Sequence, residues 1–312
     1  MGFAISNKVI FVVGPTAVGK TRVGIGVAKK FDGEVISADS MQIYKGFRIG
    51  TSAPTEEEMG GVVHHMIGTV DPSQAYNVAA YQKEAKKIIS SVIASGKVPV
   101  VVGGTGLYIN SLTHDLDFST SEGNETLRKK LSERYDKYGA KYMFEVLKKH
   151  DPAAAARVHA NDKKRIVREL EIIENNEKRI THNFNKYSPD YDCILIGLEM
   201  QRQTLVERIN MRVDEMMEQG LEQEVFELIK QYGPGSTCFQ AIGYKEFIPY
   251  FLGKQTLEDT SEQIKRRTIQ YSKRQMTWFR RDERIKWFTA TNKFLLADIY
   301  AYIRARFSAD NI

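Results

Sequence analysis

A glycine-rich loop near the start of the chain has the residue types that bind phosphate groups. Residues 14–21, GPTAVGKT, fit the pattern G-x-x-x-x-G-K-[ST] and follow an apolar run, KVIFVV, that predicts a buried strand. The glycines allow backbone N–H groups to converge on phosphate oxygens, and the following helix adds its positive dipole end. Lys20 supplies a positive charge, and the Thr21 hydroxyl can ligate Mg²⁺. The loop therefore predicts binding of a diphosphate or polyphosphate.

Asp39 is the carboxylate best placed to act beside this loop. ATP-consuming enzymes with such a loop usually carry an apolar strand that ends in an Asp and holds Mg²⁺. Here the run Val100–Val102 ends in glycines instead, and Asp39 follows the predicted strand at residues 34–38. Parallel sheets bind ligands at this end of their strands. Asp39 is expected to hold Mg²⁺ through water, to act as a general base, or to cap a helix that begins near Met41.

Three further side chains are candidates for the same site. Thr105 follows the apolar run at residues 98–102 and offers a hydroxyl, although a plain strand-to-helix turn explains it equally well. Arg208 and Arg212 are four residues apart in a helical pattern, so they share a face and one of them can reach a diphosphate. Pairing with acids on a solvated helix surface is the more frequent explanation of such arginines. The histidine pair at residues 64–65 is interpreted as solvated, since no histidine has metal-ligand spacing.

The order of elements predicts an α/β fold with a parallel sheet. Apolar strand patterns alternate with helical patterns up to about residue 115, and a strand pattern returns at Cys193–Leu198. Residues 124–185 are highly charged and helical in pattern, without a convincing strand. We therefore predict a P-loop NTPase-like core from residues 1–115 and 196–312, with helices following the last strand, and an all-helical insertion at 116–195.

Positive charge is concentrated in two segments. The chain carries 45 Lys and Arg against 39 Asp and Glu, a net charge of +6, and nine of these cations lie between Lys265 and Lys286 against two acids. A second cluster lies at residues 163–168. Such clusters favour a polyanionic partner such as RNA, whereas a solvated helix face explains most single clusters. The apolar and polar stripe in the first segment is interpreted as packing; its members are Ile264, Thr268, Tyr271, Gln275 and Trp278.

Composition excludes several classes of protein. With 42% hydrophobic and 27% charged residues, the chain has the balance of a globular protein rather than a disordered one. Two cysteines are too few for a disulfide framework and fit a reducing compartment. No apolar run reaches the roughly 18 residues of a membrane helix. A cytoplasmic protein is therefore expected.

Seven segments in order resemble one known family. They are GPTAVGKT at 14–21, ISADSMQIYKG at 36–46, DPSQAY at 71–76, VVGGTGLYI at 101–109, DPAAAARVHANDKKRIVRELE at 151–171, AIGYKE at 241–246 and KRQMTWFRRD at 273–282. Together they closely resemble the bacterial-type tRNA dimethylallyltransferases (tRNA isopentenyltransferases) of the IPP transferase family. The resemblance runs from about residue 9 to residue 290, and it depends on the ordered set because only the loop motif is specific by itself.

The resemblance implies a reaction and a distribution of roles. The family transfers a dimethylallyl group from dimethylallyl diphosphate to N6 of adenosine 37 in tRNA, with Mg²⁺ as cofactor. It implies Asp39 as general base, Thr105 near the reaction centre and Arg212 at the diphosphate, with Arg208 as the alternative one turn away. Diphosphate binding then falls to Gly14, Pro15, Thr16, Ala17, Val18, Gly19, Lys20 and Thr21, with Thr21 as the protein's Mg²⁺ ligand. The implied tRNA contacts are Asp39, Ser40, Met41, Gln42, Thr105, Arg128, Lys164, Arg165, Ile166, Val167, Arg168, Gln240, Ala241, Ile242, Gly243, Tyr244 and Lys245.

Three alternatives stay open at this stage. A P-loop kinase of a small metabolite would turn over ATP and would leave both basic clusters unexplained. A prenyltransferase acting on free adenosine nucleotides would not need a basic helical insertion. A nucleotide-gated RNA-binding protein would need no general base. A monomer acting on the anticodon stem-loop of tRNA is the expected form.

Overall fold

A computed structural model describes residues 7–116, 118, 124–175 and 186–308. The strands are β1 (Lys8–Val13), β2 (Gly33–Ser37), β3 (His64–His65), β4 (Val98–Gly103), β5 (Asp192–Glu199) and β6 (Lys286–Thr289). The helices are α1 (Lys20–Lys30), α2 (Glu56–Met59), α3 (Val78–Ala94), α4 (Gly106–Thr113), α5 (Glu125–His150), α6 (Pro152–Ala155), α7 (Lys163–Glu174), α8 (Arg202–Glu218), α9 (Leu221–Tyr232), α10 (Phe247–Phe251), α11 (Leu257–Phe279) and α12 (Leu295–Ser308).

The strands form one parallel sheet, which confirms the predicted fold class. The strand order is β3-β2-β4-β1-β5-β6, and every neighbouring pair is parallel. All residues of β1 and β4 are buried, because helices cover both faces of the sheet. The carboxyl ends of β1, β2 and β4 therefore lie side by side, and the loops that follow these strands meet there.

Two strands were not expected from the sequence. The histidine pair interpreted as solvated forms β3, where His65 Nε2 lies 2.7 Å from a carboxylate oxygen of Glu34 and His64 Nδ1 lies 2.8 Å from the carbonyl oxygen of Val62. The prediction that only helices follow residue 198 is also wrong, because β6 pairs with β5. Both strands are short and partly exposed at the sheet edges, so their apolar pattern is weak.

The chain divides into two compact units. One consists of Met1–Asp115 and Lys186–Ile312, and the other of Leu116–Asn185. The second unit therefore ends at residue 185 rather than at the expected 195, because β5 begins at Asp192 and pairs along its length with β1. None of the helices in the described ranges is long and apolar enough to cross a membrane.

The helical unit is built from α5, α6 and α7 around a small core of its own. Buried side chains from all three helices form this core, including Leu131, Met143 and Leu170. The first helix is broken at Gly139, whose φ of 83° and ψ of 167° are not helical. Glycine tolerates this positive φ at little cost, which lets the chain change direction there.

Candidate active site at the carboxyl ends of the strands

The glycine-rich loop connects β1 to α1, as the motif predicts. Gly14 has a φ of 147°, and a β-carbon added there would lie 2.6 Å from the carbonyl oxygen of Leu198. Gly19, with a φ of 100°, precedes the first turn of α1. The Nζ of Lys20 donates to the carbonyl oxygen of Pro15 over 2.7 Å, which holds the amine across the loop. The loop thus presents backbone N–H groups and one amine to the same hollow.

That hollow is a cavity of about 600 Å³ at the end of the sheet. The phosphate loop and the start of α1 form one side, and Asp39, Arg208 and Arg212 lie on the others. Its size suits a small diphosphate ester, and its cationic groups suit a diphosphate charge. Both arginines of the predicted pair line the cavity, but Arg208 is exposed whereas Arg212 is half-buried.

Asp39 lies just beyond the end of β2 and caps the turn that follows. Its Oδ1 accepts hydrogen bonds from the N–H groups of Met41, at 2.9 Å, and Gln42, at 3.3 Å. Residues 40–43 form a turn rather than the start of a helix, so the expected capping role is present in a different form. Both of these bonds end on one oxygen, which leaves the second carboxylate oxygen available to face a ligand.

Thr105 is tied directly to the segment that carries Asp39. Its Oγ1 accepts the Ser40 N–H at 3.1 Å and donates to Ser40 Oγ at 3.4 Å, while its own N–H donates to the carbonyl oxygen of Ala38. A β-carbon added at Gly103 would overlap the backbone of Ala38, so only glycine allows the ends of β2 and β4 to approach this closely. The Thr105 hydroxyl therefore holds the backbone directly after Asp39.

The charges in this hollow perturb one another. The pKa of Lys20 is lowered to about 7 by burial and then by the positive charge of Arg212, while the carboxylate of Asp39 acts in the opposite direction. Burial likewise lowers the pKa of Arg212, and Asp39, Glu215 and Glu58 oppose that change. Two cations brought together away from water favour the binding of an anion, which would relieve their repulsion and their loss of hydration.

Helix α11 supplies two polar side chains that the sequence analysis assigned to packing. Gln275 is buried; its Oε1 accepts the Thr16 N–H at 2.9 Å, and its Nε2 donates to the carbonyl oxygen of Gly104 at 2.9 Å. Burial and the charge of Asp39 raise the pKa of Tyr271 to about 12, while hydrogen bonds with Thr105 and Gln275 oppose the rise. Polar residues inside an otherwise apolar stripe were the signal that could have revealed them.

A second cavity, of about 310 Å³, also contains Asp39 in its lining. Thr16, Thr51, Ser52 and Arg212 line both cavities. Tyr271, Arg274, residues 240–243 and Lys245 line the second and not the first. Arg274 lies with its guanidinium carbon 5.7 Å from the centre of the Tyr271 ring. Asp39 thus lies at the junction of a cationic cavity and one lined by an aromatic ring.

Several residues expected to contact tRNA in the α/β unit have other partners. Tyr244 is fully buried and Ala241 nearly so, whereas Gln240 is exposed and Ile242 and Lys245 are half-buried. The side chain of Gln42 is engaged inside the protein, since its Nε2 donates to the carbonyl oxygens of Thr51 and Ser52. Of the two buried residues, Ala241 lines the second cavity and Tyr244 does not.

The expected contacts in the helical unit also divide by burial. Ile166 and Val167 lie in the core of that unit, so their side chains face away from solvent, and a contact with RNA through their backbone stays a prediction. Arg128 and Arg168 both bind the buried carboxylate of Glu171, with N–O distances of 3.0 Å. Of the predicted cations, Lys164 and Arg165 are the ones with exposed side chains outside this cluster.

The residues around Thr21 fit a Mg²⁺ ion that is shared with a bound diphosphate. Thr21 lines the larger cavity with Asp39, Glu58 and Glu215. Mg²⁺ usually keeps several waters and takes one or two carboxylates plus phosphate oxygens. Within the described ranges, no group of three or more His, Cys, Asp or Glu side chains is placed to hold a metal alone. The donors therefore suit an ion that is completed by its phosphate ligand.

Fold and site together define a P-loop α/β protein in which a cationic, diphosphate-sized cavity meets a second cavity at one carboxylate. Comparison with known proteins narrows this class. A sequence model described as IPP transferase matches residues 42–282 of the chain. The chain belongs to the IPP transferase family, as its ordered motifs predict.

Individual relatives agree over almost the whole length. A tRNA dimethylallyltransferase of Caldanaerobacter subterraneus is 46% identical over 310 residues, covering 96% of this chain and 98% of the relative. The solved structure of a tRNA isopentenylpyrophosphate transferase from Bacillus halodurans has a TM-score of 0.75 and 39% identity, and covers 98% of both chains. A solved eukaryotic dimethylallyltransferase acting on tRNA has a TM-score of 0.80 and 32% identity, covering 98% of this chain and 80% of its own.

Proposed function

We propose that this protein transfers a dimethylallyl group from dimethylallyl diphosphate to N6 of adenosine 37 in tRNA. The observation that carries this proposal is the meeting of two cavities at Asp39. The first is lined by the phosphate loop, and the second by Tyr271, Arg274, residues 240–243 and Lys245. A transfer between two substrates needs such a junction, because the acceptor atom must approach the donor carbon while both are bound.

The diphosphate occupies the larger cavity. Backbone N–H groups of residues 14–21, the amine of Lys20 and the guanidinium of Arg212 neutralise the charge that grows on the leaving diphosphate. A Mg²⁺ ion held by Thr21 and the phosphate oxygens would add further positive charge there. Burial and the nearby charge of Arg212 lower the pKa of Lys20, and this supports an anion bound between the two cations.

The acceptor adenine enters the second cavity and presents its amine to Asp39. The N6–C1 bond forms as the C1–O bond to diphosphate breaks, and the electron pair of that bond leaves with the diphosphate. The amine then loses one proton to the carboxylate oxygen of Asp39 that does not cap the turn. Thr105, whose hydroxyl accepts the Ser40 N–H, holds the segment that carries Asp39. An adenosine in an anticodon loop must leave its stack to reach the cavity, as in other base-modifying enzymes.

The helical unit contributes charge to tRNA binding. Lys164 and Arg165 are exposed near the start of α7, and both have the chemistry to bind phosphate oxygens of an anticodon stem-loop. A monomer is the proposed active form. A tRNA substrate also supports a cytoplasmic location.

A single incubation tests the proposal. The protein is mixed with Mg²⁺, dimethylallyl diphosphate and unmodified tRNA carrying adenosine 37, and the digested nucleosides are analysed by mass spectrometry. N6-dimethylallyladenosine from tRNA is the expected product. Prenylated AMP, when AMP replaces tRNA, would point instead to a free-nucleotide acceptor. Turnover of ATP without any prenylated product would indicate a kinase.

A further inference from the structure

One loop forms a wall shared by the two cavities. Thr51 and Ser52 line both of them, and Gly50 lines the second. The loop has little regular structure of its own, and its backbone includes Ser52 with a φ of 48°, which is uncommon for a residue with a side chain. The N–H groups of Ser52 and Ala53 donate to the carbonyl oxygens of Ile49 and Arg48, which holds the turn together. Contacts with groups outside the loop fix where this turn lies against the cavities.

Glu224, on α9, binds the first half of this loop through its carboxylate. Oε2 accepts the N–H groups of Arg48, at 3.1 Å, and Ile49, at 2.7 Å, while Oε1 accepts the N–H of Gly50 at 3.1 Å. Oε1 also accepts the hydroxyl of Tyr244 at 2.7 Å. A carboxylate offers about four acceptor positions, so these four hydrogen bonds use its full capacity.

Tyr244 extends the same connection to its neighbours Gly243 and Lys245, which line the second cavity. It belongs to the segment 240–245, and its ring lies 4.5 Å from that of Phe47, centre to centre. A β-carbon added at Gly50 would lie 2.6 Å from the Tyr244 ring, so loop and ring are in direct contact. Burial and the charge of Glu224 keep the pKa of Tyr244 well above its ordinary value, so the hydroxyl stays a donor.

The second half of the loop is held from a different direction. Gln42 donates its Nε2 hydrogens to the carbonyl oxygens of Thr51, at 3.1 Å, and Ser52, at 3.3 Å. Its Oε1 accepts the hydroxyl of Ser37 at 3.0 Å, which fixes the amide to the end of β2. The part of the loop nearest the phosphate site is thus held without Glu224.

We propose that Glu224 is a positioning residue of the acceptor site: by holding residues 48–50 and Tyr244 together, it sets the width of the cavity that receives the adenine. This inference depends on the proposed function for the identity of the acceptor. Glu224 lies behind the walls and not among the residues that line either cavity. Its loss should therefore weaken use of tRNA while use of the diphosphate, held from the other side, changes little.

The test compares two matched glutamates on one helix. Glu222 also lies on α9 and accepts a tyrosine hydroxyl, that of Tyr250, at 2.8 Å, but none of the hydrogen bonds of the described residues joins it to the loop. In Glu224→Gln, an amide N–H₂ replaces one acceptor oxygen and faces backbone donors. We expect KM for tRNA to rise at least tenfold, KM for dimethylallyl diphosphate to stay within twofold, and Glu222→Gln to change neither by more than twofold. Tyr244→Phe, which removes one of the four bonds, should give a smaller rise, and Glu224→Asp should restore part of the loss.

Hydrogen exchange supplies a readout that does not need activity. In Glu224→Gln, peptides covering residues 47–53 and 240–246 should exchange faster, while those covering 14–21 stay as in the unchanged protein. Equal losses for both substrates with a lower Tm would overturn the proposal, because they would make Glu224 merely structural. Faster exchange with unchanged KM for tRNA would overturn it too. If the wild-type protein makes no prenylated tRNA, the proposed function fails. If hydrogen exchange in Glu224→Gln is the same as in the wild-type protein, the positioning role of Glu224 fails independently of the proposed function.

Discussion

The two units of the protein use their buried or half-buried cations in opposite ways. In the helical unit, Arg128 and Arg168 share Glu171, whose side chain is fully buried. Burial raises the pKa of that carboxyl, but the two guanidiniums outweigh it and hold the pKa below its ordinary value. In the α/β unit, Lys20 donates to a neutral carbonyl, and its pKa is lowered to about 7. In the first arrangement each cation contacts a carboxylate, whereas Lys20 in the second contacts a neutral carbonyl oxygen.

The difference separates cations that support a fold from cations that await a ligand. A guanidinium bound to a buried carboxylate adds little to the field outside the protein, and removing its partner leaves an uncompensated charge. An amine whose charged form is disfavoured by burial and by a second cation gains most when an anion arrives. The cations of the α/β unit that are expected to bind a ligand are therefore those at the phosphate loop. In the helical unit they are the exposed cations.

The largest effect is expected at the carboxylate where the cavities meet. Asp39→Asn keeps the oxygen that caps Met41 and Gln42 but cannot accept the proton of the amine. Loss of a general base costs about 10²–10⁴-fold in rate, so we expect kcat to fall by that factor while the Kd for tRNA stays within twofold. Asp71→Asn is the matched control, because Asp71 Oδ1 also caps a turn, at Ser73, outside the site. Normal single-turnover rates in Asp39→Asn would exclude the base.

The next effect concerns Lys20 and the diphosphate. A hydrogen bond to a charged group contributes about 1.5–3 kcal/mol, so Lys20→Met should raise KM for dimethylallyl diphosphate by about 10–100-fold. Because the pKa of Lys20 is about 7 and a bound diphosphate must raise it, binding should take up a proton above pH 7. Affinity should then fall as pH rises from 7 to 9 in the unchanged protein and stay flatter in Lys20→Met. Calorimetry in buffers of different ionisation enthalpy measures this uptake.

Lys30→Met provides the control for that titration. Lys30 lies at the other end of α1 and is exposed, so its replacement removes the same charge from the same helix. Both the affinity and the proton uptake should remain those of the unchanged protein. Proton uptake that persists in Lys20→Met would assign the titration to another group.

Local patterns predicted the sheet and the phosphate loop because each depends on neighbouring residues. The strand at Lys8–Val13 and the glycine-rich loop after it are recognised from short runs of consecutive residues. Strands β3 and β6 lack that signal, since β3 has two residues and β6 is partly exposed. The predicted contact segment 164–168 spans two faces of an amphipathic helix, and Ile166 and Val167 are on the buried one. The sequence pattern alone did not separate these two faces.

The supporting residues of the site could not be predicted in the same way. Gln275 reaches Thr16 across 259 positions of sequence, and Glu224 reaches Gly50 across 174. Neither spacing repeats nor forms a motif, so only the packing of helices against the sheet brings these groups together. Which acids neutralise which arginines depends on the same long-range packing.

A smaller effect, on stability, is expected at the cluster of Arg128, Arg168 and Glu171. Glu171→Gln leaves two guanidiniums without their carboxylate; it should cost on the order of 2–3 kcal/mol of unfolding free energy, below the 3–5 of a fully buried pair, because Arg128 is half-exposed. The control is Glu174→Gln on the same helix. Its pairing with Arg134 is exposed at both ends, and exposed pairs contribute about 1 kcal/mol or less. Unfolding in urea measures both losses of free energy. Equal losses in the two variants would show that the buried carboxylate of Glu171 supports the fold no more than an exposed one does.

The smallest effect is expected on the salt dependence of tRNA binding, which should distinguish exposed cations that contact RNA from those that do not. Lys164 and Arg165 are exposed, and their joint replacement by Gln should reduce the slope of log K for tRNA against log salt by about 1.5, since each phosphate contact contributes about 0.7–0.9. Tm and KM for dimethylallyl diphosphate should not change. Lys148 and Lys149, exposed in the last turn of α5, are the matched pair. A specific contact must depend on which two cations are removed. A similar slope change for both pairs would therefore mean that tRNA binding responds only to the net charge of the helical unit.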